Sequence, residues 1–273
     1  MHERSGPKSS PAFWQRQARA ILRAIKAGAL DAVFQPIVEV ASGQTIGMEA
    51  LARPAGRCGF TTAQAFFDAA EHSGRATEAD RLAHRRAFRA WHRRATEGLL
   101  FLNCAPSALV EPETVARLAR WARRLGIPSH RVVLEVTERQ GWADERDLGA
   151  AVQRGRAAGF QIALDDVGAG WSGLSRIISF RPDWIKLDRE LVQGLPTDGM
   201  RRHLVRGLVQ FGQEAGVRVI AEGVETPAQL QAAVDAGVTH VQGYLLARPN
   251  ATPALPAPEV ITSMRAWRIA SAA

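Results

Sequence analysis

The 273-residue sequence has few cysteines and no long apolar run. Its only cysteines, Cys58 and Cys104, are far apart and lack the spacing of a metal motif, as suits a reducing cytoplasm. No segment approaches the roughly 20 consecutive apolar residues of a membrane span. The polar start of the chain lacks the apolar run of a secretory signal. These absences favour a cytoplasmic protein without a membrane span.

Lysine is also scarce. Only Lys8, Lys26 and Lys186 occur among the 35 basic residues, so the other 32 are arginine. Lys186 lies within a strand pattern. Lysine is a compact point charge whose pKa shifts on burial, whereas the arginine guanidinium stays charged. Either Lys186 has a chemical role of its own or the three lysines fall where chance puts them, and its position in the fold decides between these.

The net charge of +8 allows a nucleic-acid partner, an anionic ligand or a basic solvated surface. The arginines are spread over helical segments, such as Arg85, Arg89 and Arg93, which favours a solvated face on each helix. Aromatic residues are not interleaved with them, as they are in proteins that stack single strands. No nucleic-acid polymer is therefore expected as a partner.

Eight short apolar runs alternate with helical patterns, which predicts an α/β architecture. The runs lie at 32–40, 45–52, 99–104, 131–137, 160–166, 184–188, 217–222 and 238–244. The first two are separated only by a tight turn at 41–44. Because parallel neighbours need a crossover of a dozen or more residues, these two strands should be antiparallel. The sequence thus predicts a (β/α)8 barrel, which typically needs about 250 residues, with an antiparallel first strand.

The barrel is expected to span residues 13–247, after a flexible N-terminus at 1–12. An apolar stripe that starts at Trp14 predicts a helix before the first strand. Thr226 begins a capping-box pattern and predicts a helix start. Residues 248–273 are predicted to form a Pro-rich connection and a C-terminal helix. The pattern shows no internal repeat, and no second domain is expected within these residues.

Function in a β/α barrel lies at the C-terminal ends of the strands, and here those ends are unusually polar. Their polar residues are, in chain order, Glu49, Asn103, Glu135, Asp165, Asp166, Lys186, Asp188, Glu222 and Gln242. Five or six carboxylates at one barrel mouth could not all ionise without a cation. Oxygen ligands suit Mg²⁺ or Mn²⁺ rather than Zn²⁺. Adjacent Asp165 and Asp166 could serve two ions, with the first residue bridging them.

Several short motifs, in this order and spacing, resemble the EAL-domain family of cyclic di-GMP phosphodiesterases. They are QPIV at 35–38, EALAR at 49–53, FLN at 101–103, LEVTE at 134–138, LDD at 164–166, IKLD at 185–188, AEGVET at 221–226 and QGY at 242–244. The resemblance runs from about Phe34 to Ala247. It implies a TIM-like (β/α)8 barrel with an antiparallel first strand, in agreement with the turn argument.

The resemblance also implies roles for the matching residues. One metal ion is expected at Glu49, Asn103, Glu135 and Asp165, and a second at Asp165, Asp166 and Glu222. Catalytic roles are implied for Lys186, which is expected to contact the attacking water, and for Glu222 and Glu138. The nucleotide groove is expected to be lined by Gln35, Arg53, Asp188, Gln242 and Tyr244, with Arg53 on a phosphate. Supporting roles are implied for Glu225 and for Glu138, which is expected to brace the loop after the fifth strand.

Some residues allow a plainer interpretation when they are taken alone. Asn103 could be a loop cap, and Tyr244 could be a packed aromatic residue at a strand end. The histidines, His84 among them, show no metal-binding spacing and are interpreted as surface or core residues.

The loop after the paired aspartates departs from the family. Residues 167–173 read VGAGWSG, where the family has Phe, Thr, Tyr and two serines. Two functions therefore stay open. The chain is either an enzyme that hydrolyses cyclic di-GMP to linear pGpG with two Mg²⁺ or Mn²⁺ ions, or a cyclic di-GMP receptor that has lost turnover. The complete ligand set favours the enzyme, and the altered loop favours the receptor. A homodimer is open as well, and regulation is expected from an unknown partner.

Overall fold

The computed structural model describes residues 11–56, 58–94, 97–137, 144–168, 173–252 and 255–271. The strands are β1 Leu30–Glu39, β2 Thr45–Pro54, β3 Leu99–Cys104, β4 Val132–Thr137, β5 Gln161–Val167, β6 Trp184–Leu187, β7 Arg218–Ala221 and β8 His240–Val241. The helices are α1 Pro11–Ala27, α2 Ala63–His72, α3 Ala76–Arg93, α4 Pro106–Leu109, α5 Pro112–Arg124, α6 Glu145–Ala157, α7 Gly173–Phe180, α8 Arg189–Gly194, α9 Gly199–Ala215, α10 Pro227–Asp235 and α11 Pro258–Ser271.

The eight strands close into a barrel in chain order. β1 is antiparallel to both of its neighbours, β2 and β8, and the other neighbouring strands are parallel. Gly43, in the turn between β1 and β2, has a φ of 66°, which glycine adopts without steric cost. The predicted barrel with an antiparallel first strand is confirmed. β8 differs most from its predicted range, since it covers two residues instead of seven.

The interior of the barrel is filled by two layers of side chains. The lower layer is apolar and consists of Ile37, Phe101, Val133, Ala163, Trp184 and Ile220. Because side chains alternate along a strand, the residue two positions later points to the same side, nearer the C-terminal mouth. That residue is polar in β3 to β6, where it is Asn103, Glu135, Asp165 and Lys186. After β7 it is Glu222, which was expected within the seventh strand but lies one residue beyond it. The strand period therefore places the polar residues together above a sealed apolar floor.

The outward faces of the strands pack under the helices in a larger core. A second cluster lies where α1, α2 and α3 meet, around Ile21, Leu30 and Phe66, all fully buried. The helix predicted before the first strand is present as α1. It begins at Pro11, so residues 11 and 12 of the predicted flexible segment are helical, while residues 1–10 lie outside the described part of the chain.

The chain after β8 returns to the start of the barrel. Asn250 and Phe34 exchange two backbone hydrogen bonds, of 2.9 and 3.0 Å. The predicted C-terminal helix is present as α11, and it buries Met264. The predicted capping box of Thr226 is also present, at the start of α10. Among the described residues, none of the helices has both the length and the apolar character needed to cross a membrane.

Candidate active site

Lys186 lies in the middle of the polar layer, and its side chain is fully buried. Its Nζ atom is 2.7 Å from Oε1 of Glu135 and 2.7 Å from Oε1 of Glu222. It is also 3.2 Å from Oδ1 of Asp165 and 3.5 Å from Oε2 of Glu49. One ammonium can balance the charge of only one of these four carboxylates, so the site has an excess of acid groups.

The protonation of the cluster reflects this imbalance. Burial, together with repulsion from Glu49, Asp165 and Glu222, raises the pKa of Glu135 well above its usual range, although Lys186 opposes the shift. Burial also raises the pKa of Glu222 strongly, again against Lys186. Burial alone would lower the pKa of Lys186, but the four carboxylates outweigh it and raise that pKa. The buried acids therefore require either bound protons or a further cation.

A β-bulge in β5 directs two successive acids to one side. The register with β6 shifts between Leu164 and Val167, and Asp166 has a φ of 59°. In a regular strand Asp165 and Asp166 would point to opposite faces, and a bulge re-aims the side chains. Here one carboxylate oxygen from each of them and one from Glu222 lie within 4.8 Å of one another. Three oxygens at this spacing can ligate one divalent cation.

Some of the buried oxygens make no hydrogen bond. Both carboxylate oxygens of Glu135 and Oδ1 of Asp165 are buried and accept none from the described residues, apart from their charge contacts with Lys186. Buried polar atoms without hydrogen bonds are uncommon in native proteins and often mark an ion site. Carboxylate oxygens are the ligands that Mg²⁺, Mn²⁺ and Ca²⁺ prefer. The donor set therefore fits a hard divalent cation.

Amide side chains hold Glu49 from both sides. Asn103 donates its Nδ2 to Oε1 of Glu49 at 2.8 Å, and Gln242 donates its Nε2 to Oε2 at 2.7 Å. Gln242 also donates to Oε1 of Gln35 at 3.3 Å, and Gln35 donates to the backbone oxygen of Ala247 at 3.1 Å. Because the nitrogen of Asn103 faces Glu49, its amide oxygen is the atom that remains for a cation.

The other predicted groove residues lie at the rim of the barrel mouth. Arg53 lines a cavity beside the acids, and Tyr244 is 44% exposed with the guanidinium of Arg248 4.4 Å from its ring centroid. Asp188 was expected within the sixth strand, but it lies one residue beyond β6. It is buried and caps α8 by accepting a 2.8 Å hydrogen bond from the backbone N–H of Glu190.

Of the two predicted supporting residues, the structure describes only Glu225. Glu225 forms a 2.7 Å ion pair with Arg189, whose side chain is 57% exposed. Glu138 lies outside the described residues, and so do positions 169–172 of the altered loop. At the start of that loop, Gly168 has a φ of 106°, and a Cβ there would lie 3.1 Å from Leu191. A side chain at position 168 would therefore be strained.

A cavity of about 300 Å³ opens beside the acids. Its inner wall includes Glu49, Asn103, Asp165 and Asp166, and its outer wall includes Gln64, Phe67, Glu71, Asp80 and His84. This volume is at the lower end of the range for small-molecule sites. The cavity is thus placed for a ligand whose charged group reaches the acids while another part contacts α2 and α3.

Sequence reasoning missed two residues beside the cluster. The histidines were interpreted as surface or core residues, and His84 is indeed buried in the core. Its Nε2 also donates a hydrogen bond to the backbone oxygen of Asn103 at 2.8 Å. Asp80 accepts a 2.8 Å hydrogen bond from the backbone N–H of Ala105. Their spacing of four residues on a predicted helix was the signal available, because residues four apart share a helix face.

The chain is similar to known proteins over most of its length. A family model described as "EAL domain" matches residues 18–249. The chain is 32% identical over 233 residues to an uncharacterised protein of Mycobacterium tuberculosis. This match covers 83% of this chain and 37% of that protein. It is 29% identical to the cyclic di-GMP phosphodiesterase NbdA of Pseudomonas aeruginosa, over 92% of this chain and 32% of that protein. The chain therefore spans about a third of the length of these relatives.

A solved structure is similar as well. It is a complex of Klebsiella pneumoniae BlrP1 with manganese and cyclic di-GMP. It superimposes with a TM-score of 0.75 at 29% identity, and the match covers 81% of this chain and 56% of that chain.

Proposed function

The chain belongs to the EAL domain family, and from this premise we propose that it hydrolyses cyclic di-GMP to the linear dinucleotide pGpG. The observation that carries the proposal is the buried Lys186, which contacts four carboxylates directly beside a cavity that opens to the barrel mouth. A buried cluster of like charges lowers the stability of the fold, which is typical of a functional site. Barrels of this type also place their reactive groups at this end of the strands.

The proposed cofactors are two divalent ions, Mg²⁺ or Mn²⁺. The first is assigned to Glu49, Asn103, Glu135 and Asp165, and the second to Asp165, Asp166 and Glu222. When bound, such ions supply Lewis-acid chemistry, which makes water a stronger nucleophile and neutralises charge on a phosphodiester. The excess of acids over Lys186 supports this assignment, as does the manganese in the BlrP1 complex.

Lys186 is assigned to the attacking water. Its ammonium is anchored by Glu135 and Glu222, and in the absence of metal ions the four carboxylates outweigh burial and raise its pKa well above the usual range. A fixed donor of this kind can orient a water molecule. Glu222 and Glu138 complete the proposed catalytic set.

The nucleotide is assigned to the rim and the adjacent cavity. Arg53 is proposed to neutralise a phosphate, because the guanidinium presents paired donors that match phosphate oxygens. The contacts to the rest of the nucleotide are proposed for Gln35, Asp188, Gln242 and Tyr244. The buried network from Gln242 to Gln35 supports this role, since it holds both amides in fixed orientations.

One experiment separates the enzyme from a receptor. The protein is incubated with cyclic di-GMP and Mg²⁺ or Mn²⁺, and the products are resolved by chromatography. The proposal expects pGpG, and it expects no product when a chelator is added. Stoichiometric binding of the nucleotide without any product would identify a receptor instead.

The altered loop gives a separate test of the enzyme. If Glu138 braces residues 167–173, Glu138→Ala should reduce turnover far more than it reduces the free energy of unfolding. Parallel losses of activity and melting temperature would show an ordinary folding role for this residue.

A cytoplasmic location, a homodimer and an unidentified regulatory partner stay predictions. Cys58 and Cys104 are both free thiols and both buried, which is compatible with a reducing compartment. Sedimentation of the purified chain at several concentrations would decide whether it forms a dimer.

A further inference from the structure

The end of β3 is anchored from outside the barrel by two side chains of α3. His84 donates its Nε2 to the backbone oxygen of Asn103 at 2.8 Å. Asp80 accepts a 2.8 Å hydrogen bond at Oδ2 from the backbone N–H of Ala105. Cys104 lies between them, with its Sγ 3.6 Å from the same His84 nitrogen. The backbone is therefore held on both sides of Cys104.

These two anchors are built into the core rather than laid on the surface. Asp80 is 4% exposed and His84 is 2% exposed, and they lie one helical turn apart on the same face of α3. The ladder between β2 and β3 ends where Ala50 pairs with Leu102. Beyond that point β2 no longer supports the strand, and α3 supplies the hydrogen bonds instead.

The segment they hold presents a proposed metal ligand. Asn103 lies exposed beside the acids Glu49, Glu135, Asp165 and Glu222. Among the described residues, its only hydrogen bond to these acids is the one to Glu49. Towards β4 the segment stays paired, with Asn103 opposite Glu135. Fixing the backbone carbonyl of Asn103 from α3 as well restricts the motion of its amide oxygen and lowers the entropy lost when a cation binds.

We propose that His84 and Asp80 are positioning residues that hold Asn103 in place for a divalent cation. This inference rests on the metal site of the proposed function. Residues that support metal ligands from behind typically contribute 10- to 100-fold to metal affinity. Simple core packing, the competing explanation, predicts that these side chains affect stability alone.

The test uses Mn²⁺ alone and measures its affinity by calorimetry on the whole chain. His84→Leu keeps the bulk of the side chain but removes the donor, and it should weaken Mn²⁺ binding by about 10-fold or more. His84→Gln places an amide nitrogen near the position of Nε2 and should restore most of the affinity. Phe88→Leu is the matched control, because Phe88 is 1% exposed on the same helix, one turn further along. It should lower the melting temperature and leave the affinity for Mn²⁺ unchanged.

Three results would overturn the proposal: unchanged affinity in His84→Leu, equal losses in His84→Leu and His84→Gln, or an equal loss in Phe88→Leu. Amide hydrogen exchange at residues 103–105 of the metal-free protein gives a second readout. It should speed up in His84→Leu more than in Phe88→Leu, and equal rates would overturn the anchor itself. A further outcome is that the wild type binds no Mn²⁺ while amide exchange is still faster in His84→Leu than in Phe88→Leu. That result would refute the metal site of the proposed function and leave the anchor a purely structural feature.

Discussion

Lys186 and Glu222 meet across the neighbouring strands β6 and β7, with Nζ and Oε1 2.7 Å apart. Lys186 pairs with Ile220 of β7. Glu222 follows Ile220 by two residues, so it points to the same side and lies nearer the barrel mouth than the backbone of Lys186 does. The ammonium therefore rises from the apolar floor into the layer of acids. With Glu49, Glu135 and Asp165 on its other sides, the lysine side chain is fully buried.

This geometry predicts the effect of replacing Lys186 by the chain's common basic residue. Lys186→Arg keeps the charge, but the planar guanidinium is larger and is expected to displace the surrounding acids. We expect a folded protein that still binds cyclic di-GMP and turns it over about 100-fold more slowly, the scale of a misplaced catalytic group. Single-turnover kinetics and equilibrium binding of the nucleotide would measure the two effects separately.

Lys26→Arg is the matched control, because Lys26 is exposed near the end of α1. It should behave as the wild type in both measurements. Near-normal turnover by Lys186→Arg would mean that any cation serves at this position. The catalytic assignment of the lysine would then have to be dropped.

The excess of acids predicts that divalent ions stabilise the fold. A ligand that binds only the native state adds about 2.7 kcal/mol at 100 times its dissociation constant. Mn²⁺ should therefore raise the melting temperature of the wild type, and Asp165→Asn should remove most of this rise and most of the turnover. Glu214→Gln, on the exposed side of α9, should respond to Mn²⁺ as the wild type does. An unchanged response in Asp165→Asn would contradict the placement of the ions.

The same excess predicts an unusual result in the absence of metal. Glu135→Gln replaces a buried acid by a neutral amide of similar shape, while Lys186 keeps three partners. Since burial and repulsion raise the pKa of Glu135 in the folded chain, this acid destabilises the metal-free fold at neutral pH relative to the unfolded chain. We expect Glu135→Gln to increase the free energy of unfolding by about 1 kcal/mol, a typical gain on removing a functional strain, and to abolish turnover. Urea denaturation in the presence of a chelator measures this, and a clear loss of stability would show that the acid supports the fold.

Much of the site could be predicted from the sequence because it follows from the two-residue period of strands. Asn103, Glu135 and Lys186 each lie two positions after an apolar residue that fills the barrel floor. Once eight strands and a barrel are inferred, that period alone brings these residues to one mouth. The antiparallel first strand followed from a different rule, since the turn at 41–44 is too short for a parallel crossover.

Other features depart from that period. Regular alternation would separate Asp165 from Asp166, so their shared site was predicted from the adjacent acids and the family resemblance, while the bulge with its positive φ that brings them together was not. Asp188 follows the strand pattern in the sequence, yet the chain has already turned there, so the residue caps a helix. The contact of His84 with β3 links residues 19 positions apart, and no local pattern specifies it.

His240, at the opposite end of the barrel, predicts a pH dependence of stability. It is 6% exposed and packs edge-on against Trp184, with ring centroids 5.1 Å apart. Burial lowers its pKa from 6.5 to about 4, since the nearby Glu39 opposes the shift only in part. The unfolded chain therefore takes up a proton at a higher pH than the folded chain does. The contribution to the free energy of unfolding that depends on a neutral His240 is thus fully present above pH 6.5, and it is lost as the pH falls towards 4. The loss attributable to His240 is about 3 kcal/mol.

His240→Gln cannot take up this proton, so its free energy of unfolding should fall less than that of the wild type between pH 7.5 and pH 4. His203→Gln, at an exposed site on α9, should follow the wild type. Parallel pH profiles for the wild type and His240→Gln, measured by urea denaturation, would show that His240 titrates in the folded protein as it does in the unfolded chain.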